Sequence, residues 1–217
     1  MSSPVRAPPP VTIPADGVHL EGMLELPAAS AGVVVFSHGS GSGRHSPRNQ
    51  FVAAELRRAG LGTLLLDLLT PQEEQRYETR FDITLLAARL AHAVRYVAGR
   101  DKERTRTIGL FGASTGAASA LRVAAAMPYT IGAVVSRGGR PDLAGSGVLE
   151  RVAAPTLLVV GGEDTEVIGL NRTAYDRLQR CERKLVVVPG ATHLFEEPGT
   201  LEEVARLAAG WFRRHLR

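Results

Sequence analysis

Ser114 stands at the centre of Gly112-Ala113-Ser114-Thr115-Gly116, after the apolar run Thr107-Ile108-Gly109-Leu110-Phe111 and before the alanine-rich stretch Ala117 to Met127. That order of strand, sharp turn and helix is the setting of a nucleophile elbow. A serine hydroxyl is a weak nucleophile and needs presentation at a strained turn and activation by a neighbouring base. Glycines two residues to either side let the strand and helix backbones approach closely, and Ala113 and Ala117 keep the corner small. His193, at the end of Pro189-Gly190-Ala191-Thr192-His193, is the candidate base. Asp164, in Gly161-Gly162-Glu163-Asp164, is the candidate acid that fixes the imidazole tautomer and stabilises the imidazolium. The adjacent Glu163 is the alternative acid, and Asp164 is favoured. Charge developing on a substrate oxygen needs preformed donors. The backbone N–H of Thr115, at the start of a helix, supplies one. Ser40, in the glycine-rich segment His38-Gly39-Ser40-Gly41-Ser42-Gly43, is expected to supply the second, with Gly41 as the alternative.

Elements that must position these residues follow from the hydrophobic pattern. Short apolar runs alternate with longer helical patterns, which specifies an α/β fold with a mostly parallel central sheet and helices on both faces. Strands are expected at Val18–Leu26, Gly32–Ser37, Thr63–Asp67, Thr107–Phe111, Ile131–Ser136, Pro155–Gly161 and Lys184–Val188. Helices are expected at Pro47–Ala59, Phe81–Gly99, Thr115–Met127, Val167–Arg180 and Thr200–Leu216. The stretch Val11 to Leu26 suggests an antiparallel edge hairpin turning at Ala15-Asp16-Gly17. Residues 1–14 read as a flexible proline-rich lead-in, and 15–217 as a single domain. In such sheets the active site lies at the carboxyl ends of the strands, and Ser40, Ser114, Asp164 and His193 all fall just after expected strands.

Bulk properties narrow the function classes. At 217 residues, 44% hydrophobic and 22% charged, the chain fits one soluble globular domain. No secretory signal is apparent at the N-terminus and no apolar run is long enough for a bilayer, so no membrane association and a cytoplasmic location are expected. Cys181 is the only cysteine, which excludes an intrachain disulfide and a thiolate zinc centre. A net charge of +4 is spread as arginines among glutamates, without a basic stripe carrying interleaved aromatics, so no nucleic-acid partner is expected. The glycine-serine run after His38 lacks the Gly-Lys-Ser/Thr ending of a phosphate-binding loop.

On the segments around His38, Ser114, Asp164 and His193, and on the chain order Ser, Asp, His, the sequence resembles an α/β-hydrolase of the dienelactone-hydrolase-like group, from about Val18 onward. The resemblance implies an α/β-hydrolase fold and serine-dependent cleavage of carboxylic esters, lactones or thioesters of small substrates through an acyl-enzyme, with no metal and no organic cofactor. Acyl transfer by the same residues, or a non-catalytic binding role on the same fold, are the alternatives. True dienelactone hydrolases carry a cysteine at the elbow where Ser114 stands, so lactone specificity does not carry over. The stretch between the Ile131 and Pro155 strands is too short for a helical cap, and an aromatic content of 5% offers little cover for long lipid chains. His38 reads as a structural residue shaping the loop. Arg44, His45 and Arg137 are candidate substrate-binding residues at the mouth of the site. In the competing reading such arginines pair with Asp67, Asp82 or Asp142 to hold loops.

Overall fold

The unbroken apolar run Gly-Val-Val-Val-Phe-Ser at Gly32–Ser37 is buried along its whole length, so it must be covered on both faces. The computed structural model describes residues 10–100 and 107–216 and supplies that cover. The chain begins with β1 (Val11–Ala15), β2 (Val18–Glu25) and β3 (Gly32–Ser37), then α1 (Pro47–Arg58) and β4 (Gly62–Leu66). Two four-residue helices, α2 (Pro71–Glu74) and α3 (Tyr77–Arg80), lead into the long α4 (Ile83–Arg100). There follow β5 (Thr107–Ala113), α5 (Gly116–Ala126) and β6 (Ile131–Arg137). A 3₁₀ turn at Pro141–Ala144 and the one-turn α6 (Ser146–Leu149) precede β7 (Thr156–Gly161), α7 (Thr165–Arg177), β8 (Arg183–Val188) and α8 (Thr200–His215).

Eight strands form one sheet in the order β1-β2-β4-β3-β5-β6-β7-β8. The pairs β1–β2 and β2–β4 are antiparallel, and all pairs from β4 to β8 are parallel. Successive residues of β3 alternate between two cores. Val33 and Val35 join Leu90 and Val94 of α4 and Leu121 of α5, whereas Val34 and Phe36 join Val52 and Leu56 of α1 and Phe212 of α8. This is an α/β-hydrolase fold, with helices on both faces and only two short turns of helix between β6 and β7, so the described residues include no cap domain. Among the described residues, no helix is long and apolar enough to cross a membrane.

The expected edge hairpin is present: Ala15 pairs with Val18 across Asp16 and Gly17, both at positive φ (43° and 80°), as a two-residue type I′ loop requires. Its first strand begins at Val11, which corrects the lead-in expected over residues 1–14. Val11–Pro14 belong to the sheet because Ile13 is fully buried against it. Residues 1–9 lie outside the described residues. The helices α2, α3 and α6 were not expected, since four residues are too few to show a helical period.

The tightest packing is at the start of α5. A Cβ on Gly116 would stand 2.1 Å from the Ser37 carbonyl oxygen and 2.6 Å from that of His38. Only glycine lets α5 begin against the end of β3. Gly116→Ala is therefore expected to lower the unfolding free energy by about 2–3 kcal/mol in denaturant titration. Gly210→Ala, on the open side of α8 where a Cβ meets nothing within 4 Å, should instead gain about 0.5–1 kcal/mol.

Candidate active site

Ser114 follows β5 with φ at 51°, a left-handed conformation that a serine adopts only when its surroundings impose it. Three hydrogen bonds do so. Its N–H donates to the Arg137 carbonyl (3.2 Å), and its own carbonyl accepts from Ala117 N–H (3.1 Å) and Arg140 N–H (3.0 Å). The elbow is thus fixed both to its own helix and to the end of β6.

Asp164 and His193 come from loops that are bonded to each other. Gly162 N–H donates to Val188 (2.8 Å) and Glu163 N–H to Ala191 (3.0 Å), joining the turn after β7 to the turn after β8. Phe195 is fully buried and, at φ 57°, closes the turn around His193 by donating its N–H to the Thr192 carbonyl (3.3 Å). Glu197 accepts the Thr192 N–H at 3.1 Å, and the hydrogen bonds from Thr192 hold its carboxyl below the usual range. The result brings the three expected side chains into one line. His193 Nδ1 lies 2.6 Å from Asp164 Oδ2, and His193 Nε2 lies 3.4 Å from Ser114 Oγ. A carboxylate can only accept, so Nδ1 carries the proton and the Nε2 lone pair faces the serine hydroxyl. Glu163 has no side-chain partner among the described residues, and the structure places Asp164, not Glu163, against the imidazole.

The loop after β3 lies against the elbow, and a Cβ on Gly39 would approach the Ser114 Cβ to 3.0 Å. His38 is buried with Nδ1 2.9 Å from the Gly39 carbonyl, and its Nε2 accepts the Leu68 N–H at 2.9 Å. Both ring nitrogens are thereby engaged in shaping the loop. Ser40 departs from expectation, because its N–H donates to the Thr115 hydroxyl oxygen at 3.1 Å and is not free for a substrate. The N–H groups of Thr115 and Gly41 have no acceptor among the described residues.

The arginines near this edge of the sheet divide into two kinds. Arg44, expected at the mouth, is bound to Asp67 through its backbone N–H (2.7 Å) and its guanidinium, which also meets Glu21. It holds the loop, because Asp67, at the end of β4, offers a partly buried carboxylate to both its backbone and its guanidinium. Arg48 pairs with Glu196 (2.9 Å), and Arg140 makes two bonds to Asp142 (2.9 and 2.8 Å), which raise its pKa. His45 is exposed, without a hydrogen bond among the described residues. Arg137 differs from all of these. It is only 7% exposed, its Nη2 reaches Asn49 Oδ1 at 3.4 Å, and its Nε has no partner among the described residues. Desolvation, together with the nearby Arg48 charge, pushes its pKa down to about 10. Asn49 and the Thr115 hydroxyl carried no sequence signal, since each gains its place through a contact distant in the chain.

The strain at Ser114 is measurable. Ser114→Gly is expected to stabilise the fold by up to about 1 kcal/mol in denaturant titration, since relief of the left-handed serine outweighs the added chain entropy of glycine.

Comparison with known proteins agrees with this architecture. Residues 20–215 match the sequence profile of the dienelactone hydrolase family. A dienelactone hydrolase structure from Anabaena variabilis superposes with a TM-score of 0.91 at 49% identity, covering 98% of this chain and 100% of that one. An α/β serine hydrolase without lid from Xanthomonas campestris shares the fold at 20% identity, with a TM-score of 0.78 over 96% of this chain and 94% of its own. A Mycobacterium tuberculosis protein named as a phosphoribosyl transferase is 53% identical over 207 residues, 95% of this chain. The chain spans only 46% of that relative's length. On the profile match and these identities, the chain belongs to the dienelactone hydrolase family of α/β-hydrolases.

Proposed function

We propose that the protein is a serine hydrolase acting on esters, lactones or thioesters of small molecules. The observation that carries this reading is the bridge of His193 between Asp164 (2.6 Å) and Ser114 (3.4 Å), with Ser114 held at a strained turn. Ser114 Oγ attacks the carbonyl carbon while His193 Nε2 takes its proton, and the Asp164 carboxylate stabilises the imidazolium. Collapse of the tetrahedral intermediate expels the leaving group, which receives that proton. Water, deprotonated in turn by His193, releases the acid from the acyl-enzyme and restores the Ser114 hydroxyl.

Two donors at Thr115 support the oxyanion. Its N–H opens α5, where the helix dipole favours negative charge. Its hydroxyl oxygen already accepts the Ser40 N–H, which leaves the hydroxyl proton available to a substrate oxygen and polarises it for donation. Ser40 then acts through Thr115. The open, capless edge suits small substrates, and the lone Cys181 suits a reducing, cytoplasmic setting. Phosphoribosyl transfer, the activity in the mycobacterial relative's name, is not brought to this chain, because most of that protein lies outside the match.

Intact-mass measurement after fluorophosphonate treatment tests the nucleophile: one adduct on the wild type and none on Ser114→Ala are expected. An unlabelled, folded wild type would refute the proposal. With 4-nitrophenyl acetate, Asp164→Asn should lower kcat by about 10³–10⁴-fold, whereas Glu163→Gln should stay within about twofold of wild type. Thr115→Val should lower kcat about 10–100-fold with KM little changed, and Thr115→Ser should recover most of it. Equal losses in both Thr115 variants would remove the hydroxyl from the oxyanion site.

A further inference from the structure

Asn171, in the second turn of α7, is fully buried. A buried side-chain amide costs free energy unless its polar atoms are bonded. Its Nδ2 donates to two carbonyls, that of Gly139 at 2.9 Å and that of Val167, one turn back in its own helix, at 2.8 Å. Carbonyl oxygens can only accept, so the amide nitrogen must face them. The Oδ1 is left buried without a partner among the described residues. A leucine of similar size would fill this place without that cost. The fold thus keeps an amide where stability alone favours an apolar side chain, and what the amide supplies is a pair of donors.

Both ends of this contact lead to the triad. Gly139 is the middle of a strap, residues 138–140, that leaves the end of β6. Gly138 N–H donates to the Val159 carbonyl (2.8 Å), and Arg140 N–H donates to the Ser114 carbonyl (3.0 Å). A Cβ on Gly139 would stand 1.9 Å from Ser136 Oγ and 2.6 Å from the Ala117 Cβ, so the strap is pressed against the start of α5. Gly138 lies against the base, where a Cβ would come within 3.0 Å of the His193 carbonyl oxygen. The donor end belongs to the acid. Asp164 is the N-cap residue of α7 and its carbonyl accepts the Ile168 N–H (2.9 Å), but its side chain makes no cap bond and turns to His193. One side chain therefore joins the helix headed by the acid to the strap that holds the nucleophile's backbone. Resting on the reading of Ser114 as the nucleophile, we propose that Asn171 is a positioning residue for the reaction. Its amide ties the strap to α7 and so sets how the Asp164–His193 pair meets Ser114. The two hydrogen bonds do not touch the substrate, and they act only through the alignment of the groups that do.

Kinetics and amide hydrogen exchange on the full chain test this role. Asn171→Leu keeps the bulk and removes both donors, and Asn171→Ala serves if the leucine variant does not fold. Either should lower kcat on 4-nitrophenyl acetate about 10–100-fold with KM within about twofold of wild type, because the loss falls on alignment and not on binding. In the same variant the Arg140 N–H should exchange with solvent at least about 10-fold faster than in the wild type. The Val134 N–H, bonded to the Pro155 carbonyl at 2.8 Å within the sheet, should exchange as before. Exchange reads the strap without turnover, so a wild type that cleaves no ester removes the hydrolase reading and leaves Arg140 to decide the tie between strap and helix. If neither variant folds, the wild type decides alone: its Asn171 side-chain amide protons should exchange at least about 100-fold more slowly than those of the exposed Gln72. Similar rates at the two amides overturn the proposal. So does a folded variant with wild-type kcat, or one whose Arg140 N–H exchanges as in the wild type.

Discussion

The corner between β5 and α5 is where every part of the site meets. α5 can begin only where Gly116 lies against the Ser37 and His38 carbonyls, closer than any side chain allows. That contact fixes the end of β3, and with it the glycine-rich loop that brings Ser40 to Thr115. The same corner is bound to β6 through the Ser114 N–H and carbonyl, so the nucleophile's backbone, Arg137 and Gly138 form one rigid unit. Gly138 in turn packs against His193. A left-handed serine persists because these neighbours over-determine it, and its strain is balanced by the bonds that hold it.

A second pair of loops is joined in the same economical way. The turns after β7 and β8 bond backbone to backbone, and a Cβ on Gly161 would meet the Ala191 carbonyl oxygen at 2.4 Å. Acid and base are therefore carried on one doubly anchored platform, which explains how a histidine more than a third exposed keeps a 2.6 Å contact with its carboxylate. Asp164 itself is far less exposed, and the low local dielectric strengthens its hold on the imidazole.

Electrostatics at the rim follow a sorting rule. Where a loop needs anchoring, an arginine meets an acid, as Arg44 meets Asp67 and Arg140 meets Asp142. At the end of β6, where the Arg137 carbonyl accepts the Ser114 N–H, the Arg137 guanidinium has no acid among the described residues and reaches Asn49 instead. Pairing of this kind anchors the loops that carry the site and neutralises the charges it uses.

Sequence alone determined the alternation of strands and helices and the doubly covered parallel sheet, because hydrophobic period is a local property. It also singled out Ser114, Asp164 and His193, each after an apolar run and among turn-forming glycines, and the fold brings these three side chains together. The short helices α2, α3 and α6 escaped it, because their order comes from packing rather than from periodicity. Partner choice was the larger omission. Whether the Ser40 N–H is free, whether Arg44 lines the mouth or braces a loop, and whether Arg137 has an acid depend on contacts far apart in the chain, such as Ser40 with Thr115 and Arg137 with Asn49. Hydrogen bonds and ion pairs of that kind carry no periodic signature, and only the closed fold decides which groups they satisfy and which they leave open.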